Sequence, residues 1–164
     1  MSDLGFLSPD RAASEAVWSS PLERALAHAP NVIEDVSRTG VLDVRGDVSA
    51  LALDGAETAR LTPSRALVLC DWSETPSLRA RLGSDGFWVI DVSAGYAGLR
   101  VQGETLLRRA TDLDLERLPA VGSVAHVQTL VLRDDEETFR LFFPQEYGHY
   151  LAEVLVDAAE GVPA

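Results

Sequence analysis

The segment Ile33-Glu34-Asp35-Val36-Ser37-Arg38-Thr39-Gly40-Val41-Leu42-Asp43-Val44-Arg45-Gly46-Asp47 returns as Val89-Ile90-Asp91-Val92-Ser93-Ala94-Gly95-Tyr96-Ala97-Gly98-Leu99-Arg100-Val101-Gln102-Gly103-Glu104, with one residue added between the matched Asp-Val-Ser and the matched glycine-acid pair. Tandem copies of one unit narrow the architecture more than any single motif, because neither copy buries its apolar face alone. The expected fold class is α+β: two similar βαββα-like halves, ferredoxin-like in outline, with a mostly antiparallel sheet and helices packed on it. A chain of 164 residues suits one domain. Within residues 1–164 we expect a peripheral arm over 1–19, a first half over 20–86 and a second half over 87–161.

Charge and cysteine usage exclude whole classes of function. The 14 basic against 26 acidic side chains give a formal charge of −12. Such a chain repels phosphate backbones and anionic bilayers, so neither nucleic acid nor membrane is an expected partner. The single cysteine, Cys70, forbids an internal disulfide, and three histidines without a Cys-x-x-Cys pair give no clustered metal-ligand pattern. The first residues, Met1-Ser2-Asp3-Leu4-Gly5-Phe6, lack a basic leader and run into no long apolar stretch, which points to a cytoplasmic location.

Ser20-Pro21-Leu22-Glu23 has the form of a capping box with proline at the first helical position, predicting a short helix to about Ala29. Strands are expected over Val32 to Ser37, Val41 to Arg45, Val48 to Leu53 and Arg65 to Cys70. Thr75 to Leu82 reads as a short helix with Gly83 as its C-terminal cap. In the second copy, Phe87 to Val92 and Ala97 to Val101 give strands, and Glu104 to Ala110 gives a helix that Leu113, Leu115 and Leu118 extend to Pro119. Val124 to Arg133 reads as one long strand, Asp134-Asp135-Glu136-Glu137 as a turn and Thr138 to Phe143 as the returning strand. Tyr147, Tyr150, Leu151, Val154, Leu155 and Ala158 fall on one stripe of a closing amphipathic helix.

Three groups of residues resemble a known family. They are Trp88-Val89-Ile90-Asp91-Val92-Ser93-x-Gly95-Tyr96-x-x-Leu99-Arg100-Val101-x-Gly103, the Leu-Leu helix leading to Asp112-Leu113-Asp114-Leu115, and Thr138-Phe139-Arg140-Leu141-Phe142-Phe143-Pro144-x-x-Tyr147-x-x-Tyr150-Leu151. Together they resemble the gamma subunit of heterotetrameric sarcosine oxidase, itself related to the folate-binding domain of glycine-cleavage aminomethyltransferases. The resemblance covers residues 87–159 well and 20–85 more loosely, through Ser20-Pro21-Leu22 and Leu42-x-Val44-Arg45-Gly46-Asp47. It implies an accessory subunit of a flavoenzyme that oxidatively demethylates sarcosine to glycine, passes the one-carbon unit to tetrahydrofolate and forms hydrogen peroxide. It further implies partner alpha, beta and delta subunits, chiefly alpha, which carry FAD, FMN, NAD, tetrahydrofolate and zinc. No catalytic, cofactor or metal residue is then expected in this chain. That agrees with Gly83-x-x-Gly86 and Gly95-x-x-Gly98, which are not dinucleotide fingerprints.

Asp35 and Asp91 are candidate folate contacts, because related transferases hold the pterin with carboxylates and both sit at one place in the repeat. The competing and preferred reading has each carboxylate bonding its own downstream amides to shape a turn. Cys70 reads as a small buried hydrophobe and does not match the Lys-Gly-Cys-x-x-Gly-Gln-Glu motif of the iron–sulfur-supporting relative. His28 ends the first helix, His126 lies within a strand and His149 on the last helix, so a shared metal site is not expected. Arg45-Gly46-Asp47 reads as a strand-ending turn, since its counterpart is Gln102-Gly103-Glu104. Trp18, Trp72 and Tyr147 are candidate partner contacts, whereas Tyr150 is assigned to the core. Two alternative functions remain: a stand-alone folate-binding aminomethyltransferase-like protein, and a small ligand-binding regulatory domain acting as a homodimer.

Overall fold

The computed structural model describes residues 18–161. The arm expected over 1–19 therefore lies almost wholly outside the described residues. In chain order the elements are β1 (Ile33–Asp35), β2 (Thr39–Arg45), β3 (Glu57–Thr62), β4 (Arg65–Asp71), α1 (Thr75–Ser84), β5 (Trp88–Asp91), β6 (Tyr96–Gln102), α2 (Glu104–Arg108), β7 (Ala120–Val124), β8 (Val127–Arg133), β9 (Thr138–Pro144) and α3 (Gly148–Glu160).

Among the described residues all strand pairs are antiparallel and form two sheets, ordered β3-β4-β2-β5 and β1-β6-β9-β8-β7. Reading the second from β8 to β1 gives β8-β9-β6-β1, the same order as the first with each strand replaced by its repeat counterpart. The duplication thus reaches the sheets, and the first strand of each copy has changed places: β1 pairs with β6, and β5 with β2. The registers match, since Asp35 lies opposite Leu99 as Asp91 lies opposite Leu42. The α+β fold class holds, with its antiparallel strands divided between two facing sheets.

Alternation along the strands sends successive side chains to opposite faces and so builds three apolar layers. Val41, Leu67 and Leu69 meet Leu130, Leu132 and Phe142 between the sheets. On the outer face of the four-stranded sheet, Leu78 and Leu82 of α1 cover Leu42, Val44, Val68 and Val89. On the opposite outside, Leu106 and Leu107 of α2 with Leu151 and Leu155 of α3 cover Leu99, Val101, Phe139, Leu141 and Phe143. Arg140 ties the sheets together, its guanidinium meeting Glu57 of β3 and Asp134 beside β8. Gly98 lets β6 approach its neighbours, for a Cβ there would lie 2.9 Å from the Phe142 ring and 3.0 Å from the Val36 carbonyl oxygen.

Several local expectations give way to tertiary structure. Residues 21–28 form successive turns rather than a helix, although the Ser20 hydroxyl accepts from the Leu22 amide as a cap would. The strand expected over Val48 to Leu53 is a turn: the Leu51 amide bonds the Val48 carbonyl, and the Arg60 guanidinium donates to the carbonyls of both. The real strand is the polar β3. Gly83 lies inside α1, and Asp85 caps it. Beyond α2 the leucines form an irregular segment with one 3-10 turn at Leu115–Arg117. The strand expected over Val124 to Arg133 holds from Val127 onward as β8, while Val124 ends β7 and a turn at Ala125 and His126, both with positive φ, joins the two.

Candidate functional site

The most organised polar feature is the pair of Asp-Val-Ser corners where each copy crosses from one sheet to the other. The Asp35 carboxylate accepts from the Ser37 amide at 2.8 Å and from the Ser20 hydroxyl. The Ser37 hydroxyl accepts from the Gly98 amide at 3.0 Å, beside a 2.9 Å bond from the Val36 amide to the Gly98 carbonyl. In the second copy the Asp91 carboxylate accepts from the Ser93 amide at 3.0 Å and the Ser93 hydroxyl at 2.6 Å. That hydroxyl accepts from the Val41 amide at 2.8 Å, and the Val92 amide donates to the Val41 carbonyl. A carboxylate bonded two residues ahead makes an Asx turn, and the serine it positions satisfies a backbone group of the other half. Ser37 and Ser93 are buried. Asp35 and Asp91 thus both form the Asx turn that their sequence setting predicts.

The inner polar cluster is the Asp43 carboxylate, which accepts from Arg65 at 3.1 Å and pairs with Arg45 at 3.2 Å. Burial acts to raise the Asp43 pKa, and the hydrogen bonds and charges of Arg65 and Arg45 outweigh it, holding the carboxyl below its ordinary value. Tyr96 faces the same cluster, and burial pushes its phenol up. Cys70 is buried at the end of β4 with the Thr75 hydroxyl 3.7 Å from its sulfur, and burial raises its thiol pKa, so it is poorly suited to nucleophilic work.

The histidines stay apart. His28 is exposed in the turns before β1, His149 pairs with Glu153 one helical turn on, and His126 sits in the β7–β8 turn instead of within a strand. Among the described residues, no three of His, Cys, Asp and Glu come together as a metal cluster would require. A cavity of about 600 Å³ lies between the chain after α2, the β7–β8 turn and α3, faced by Arg108, Arg109, Thr111, His126 and Tyr150. Its cations are engaged, Arg108 with Glu104 and Arg109 with the Ala158 carbonyl.

The aromatic candidates occupy three separate elements. Trp18 is 44% exposed beneath the Arg38 guanidinium, Trp72 is half-buried after β4 and Tyr147 is 48% exposed at the start of α3. Tyr150, assigned to the core by periodicity, is instead 46% exposed, because the buried face of α3 runs through Gly148, Leu151, Ala152 and Leu155. Among the described residues, the largest apolar exposure belongs to one not singled out as a contact: Trp88 of β5, 65% exposed, with Ile90 two residues on at 36%.

No protein-family profile matches the chain, and no curated protein matches its sequence. Solved structures do. A chain of the heterotetrameric sarcosine oxidase from Corynebacterium sp. U-96 superposes with a TM-score of 0.73 at 18% identity, over 90% of this chain and 97% of the other. The two share one fold. The resemblance stated for the sarcosine oxidase gamma subunit is therefore borne out in architecture. The glycine cleavage system aminomethyltransferase T from Bartonella henselae superposes with a TM-score of 0.56 at 18% identity, over 82% of this chain. This chain matches 48% of that enzyme's length. No helix among the described residues is long and apolar enough to cross a membrane.

Proposed function

We propose that this chain is an accessory, gamma-type subunit of a heterotetrameric sarcosine oxidase, acting by docking and contributing no catalytic group. The observation that carries the reading is the end-to-end superposition on a chain of such an enzyme, with 90% and 97% of the two chains covered. The geometry supports it: the repeated polar corners hold the fold together, Cys70 is buried, and exposed aromatic side chains stand on the surface. In this reading the alpha, beta and delta partners hold FAD, FMN, NAD, tetrahydrofolate and zinc, the alpha subunit is the main contact, and the assembly is cytoplasmic. The complex demethylates sarcosine oxidatively to glycine, transfers the one-carbon unit to tetrahydrofolate and releases hydrogen peroxide. Trp18, Trp72 and Tyr147 remain docking candidates.

The test is purification of the tagged full chain from its own cells. The expected result is a yellow multi-subunit complex that forms hydrogen peroxide when given sarcosine. Recovery of a lone chain that binds tetrahydrofolate and transfers one-carbon units unaided would replace this reading with the free-standing transferase. A colourless homodimer would replace it with a regulatory module.

A further inference from the structure

The exchange of first strands supplies an internal control for surface function, since β1 and β5 hold equivalent edge positions in the two sheets. Their registers align Ile33 with Val89, Glu34 with Ile90 and Val32 with Trp88. Ile33 and Val89 are both buried beneath helices, as a strand with one covered face requires. On the other face the copies part. At β1, Glu34 pairs with Arg100 at 3.3 Å and Val32 is partly buried. At β5, Ile90 and Trp88 stand exposed. An edge strand offers unpaired backbone N–H and C=O groups, and proteins guard such edges with charge. Both strands end on an exposed aspartate, but where β1 places Glu34 ahead of it β5 places the apolar Ile90.

The charge beside β5 indicates what covers it. The Arg45 guanidinium lies 5.6 Å from the centroid of the Trp88 ring, and Arg45 shares the single Asp43 carboxylate with Arg65. The Asp43 carboxylate is thus fully engaged by guanidinium groups, and the Asp91 carboxylate at the end of β5 is engaged by Ser93. Arg79 adds a further guanidinium, lining a trough of about 480 Å³ with Pro76, Phe87 and Trp88. This is an arginine-bearing, aromatic patch on a chain of formal charge −12. A second copy pairing edge to edge would set like guanidinium groups near one another and bring two acidic bodies together. A different chain presenting an extended segment of apolar and acidic side chains complements both the patch and the open edge.

We propose that the edge of β5, unpaired among the described residues, with Trp88, Ile90, Arg45 and Arg79, receives an extended acid-bearing segment of the partner subunit, which adds a strand to the four-stranded sheet. This rests on the accessory-subunit reading and names the surface that reading leaves open. Tryptophan and arginine dominate the energetics of many interfaces, so substitutions here weigh heavily.

The tagged full chain is purified from its own cells, and flavin bound per tagged chain is measured. Trp88→Ala, Ile90→Lys and the double reversal Arg45→Glu with Arg79→Glu are each expected to lower flavin recovery about tenfold or more. Glu34→Gln, at the matching position of β1, retains it. A photoreactive benzophenone amino acid at position 88 gives a readout independent of weakened binding, and it is expected to crosslink to an acidic peptide of a flavin-complex subunit. In the complex, β5 amides exchange hydrogen more slowly than in the free chain, while β1 amides do not change. Wild-type chain that brings no flavin overturns the accessory reading and the proposal with it. Wild-type chain that brings flavin equally with all β5 variants, or without a crosslink from position 88, overturns the β5 proposal alone. A crosslink to a second copy of this chain also overturns it.

Discussion

The two Asp-Val-Ser corners and the two exchanged strands leading into them began as copies, yet they have diverged to different degrees. At the corners the same carboxylate, the same serine and the same bonds to the opposite half persist at nearly equal distances. One residue before each aspartate, Glu34 in one copy faces Ile90 in the other. Duplication has kept the contacts that close the fold and released the positions that close nothing. A surface difference between equivalent strands is therefore more informative than the exposure of a tryptophan considered alone.

The comparison breaks most sharply at the shared centre. Phe142 is fully buried where the sheets meet, and Phe142→Ala is expected to cost about 3–5 kcal/mol in urea unfolding, in one transition. If the halves unfold separately, two transitions appear and the interlocked description fails. The corners give the next effect. Ser37→Ala and Ser93→Ala each remove an acceptor from a buried amide, at about 1–3 kcal/mol. Matching losses sharpen the equivalence of the copies, and a loss at one corner only would end it.

Gly98→Ala probes a place where the copies differ, since its counterpart by register is Val41. The added methyl group meets Phe142 and the Val36 carbonyl, for an expected loss of about 1–3 kcal/mol in thermal or urea melts. The smallest effect is electrostatic. Because Asp43 is held below its ordinary carboxylate value, its contribution is complete above the unfolded-state value, about 3.9. It is lost as pH falls through the lower folded-state value. Asp43→Asn should flatten that acid limb, and the change should stay near 1 kcal/mol or less because both arginines are substantially exposed. Melts across the acid range measure it.

Strands with strong β-branched and leucine content were legible: Val41-Leu42-x-Val44, Ala66 to Leu69 and Leu141-Phe142-Phe143 all lie in strands at or near the expected limits. Strand β3 was not, because Glu57-Thr58-Ala59-Arg60-Leu61-Thr62 buries only Ala59 fully and owes its form to pairing with β4. The β7–β8 turn hid within an apolar run because Ala125 and His126 carry no glycine signal for their positive φ. The turn-forming bonds of Asp35 and Asp91 were readable because an Asx turn spans only two residues. The exchange of strands was not, since matching copies do not state which copy pairs with which. The exposure of Trp88 was not legible because Trp88-Val89-Ile90 has no polar alternation to mark its outward face.

Strand exchange also sets a timetable for synthesis on the ribosome. Ile33 must wait until Val101 has been made before its ladder partner exists, and β2 lacks its β5 neighbour until Trp88 to Asp91 emerge. Strands β2, β3 and β4 can pair once Asp71 has been made, but neither sheet is complete until the other copy's first strand is in place.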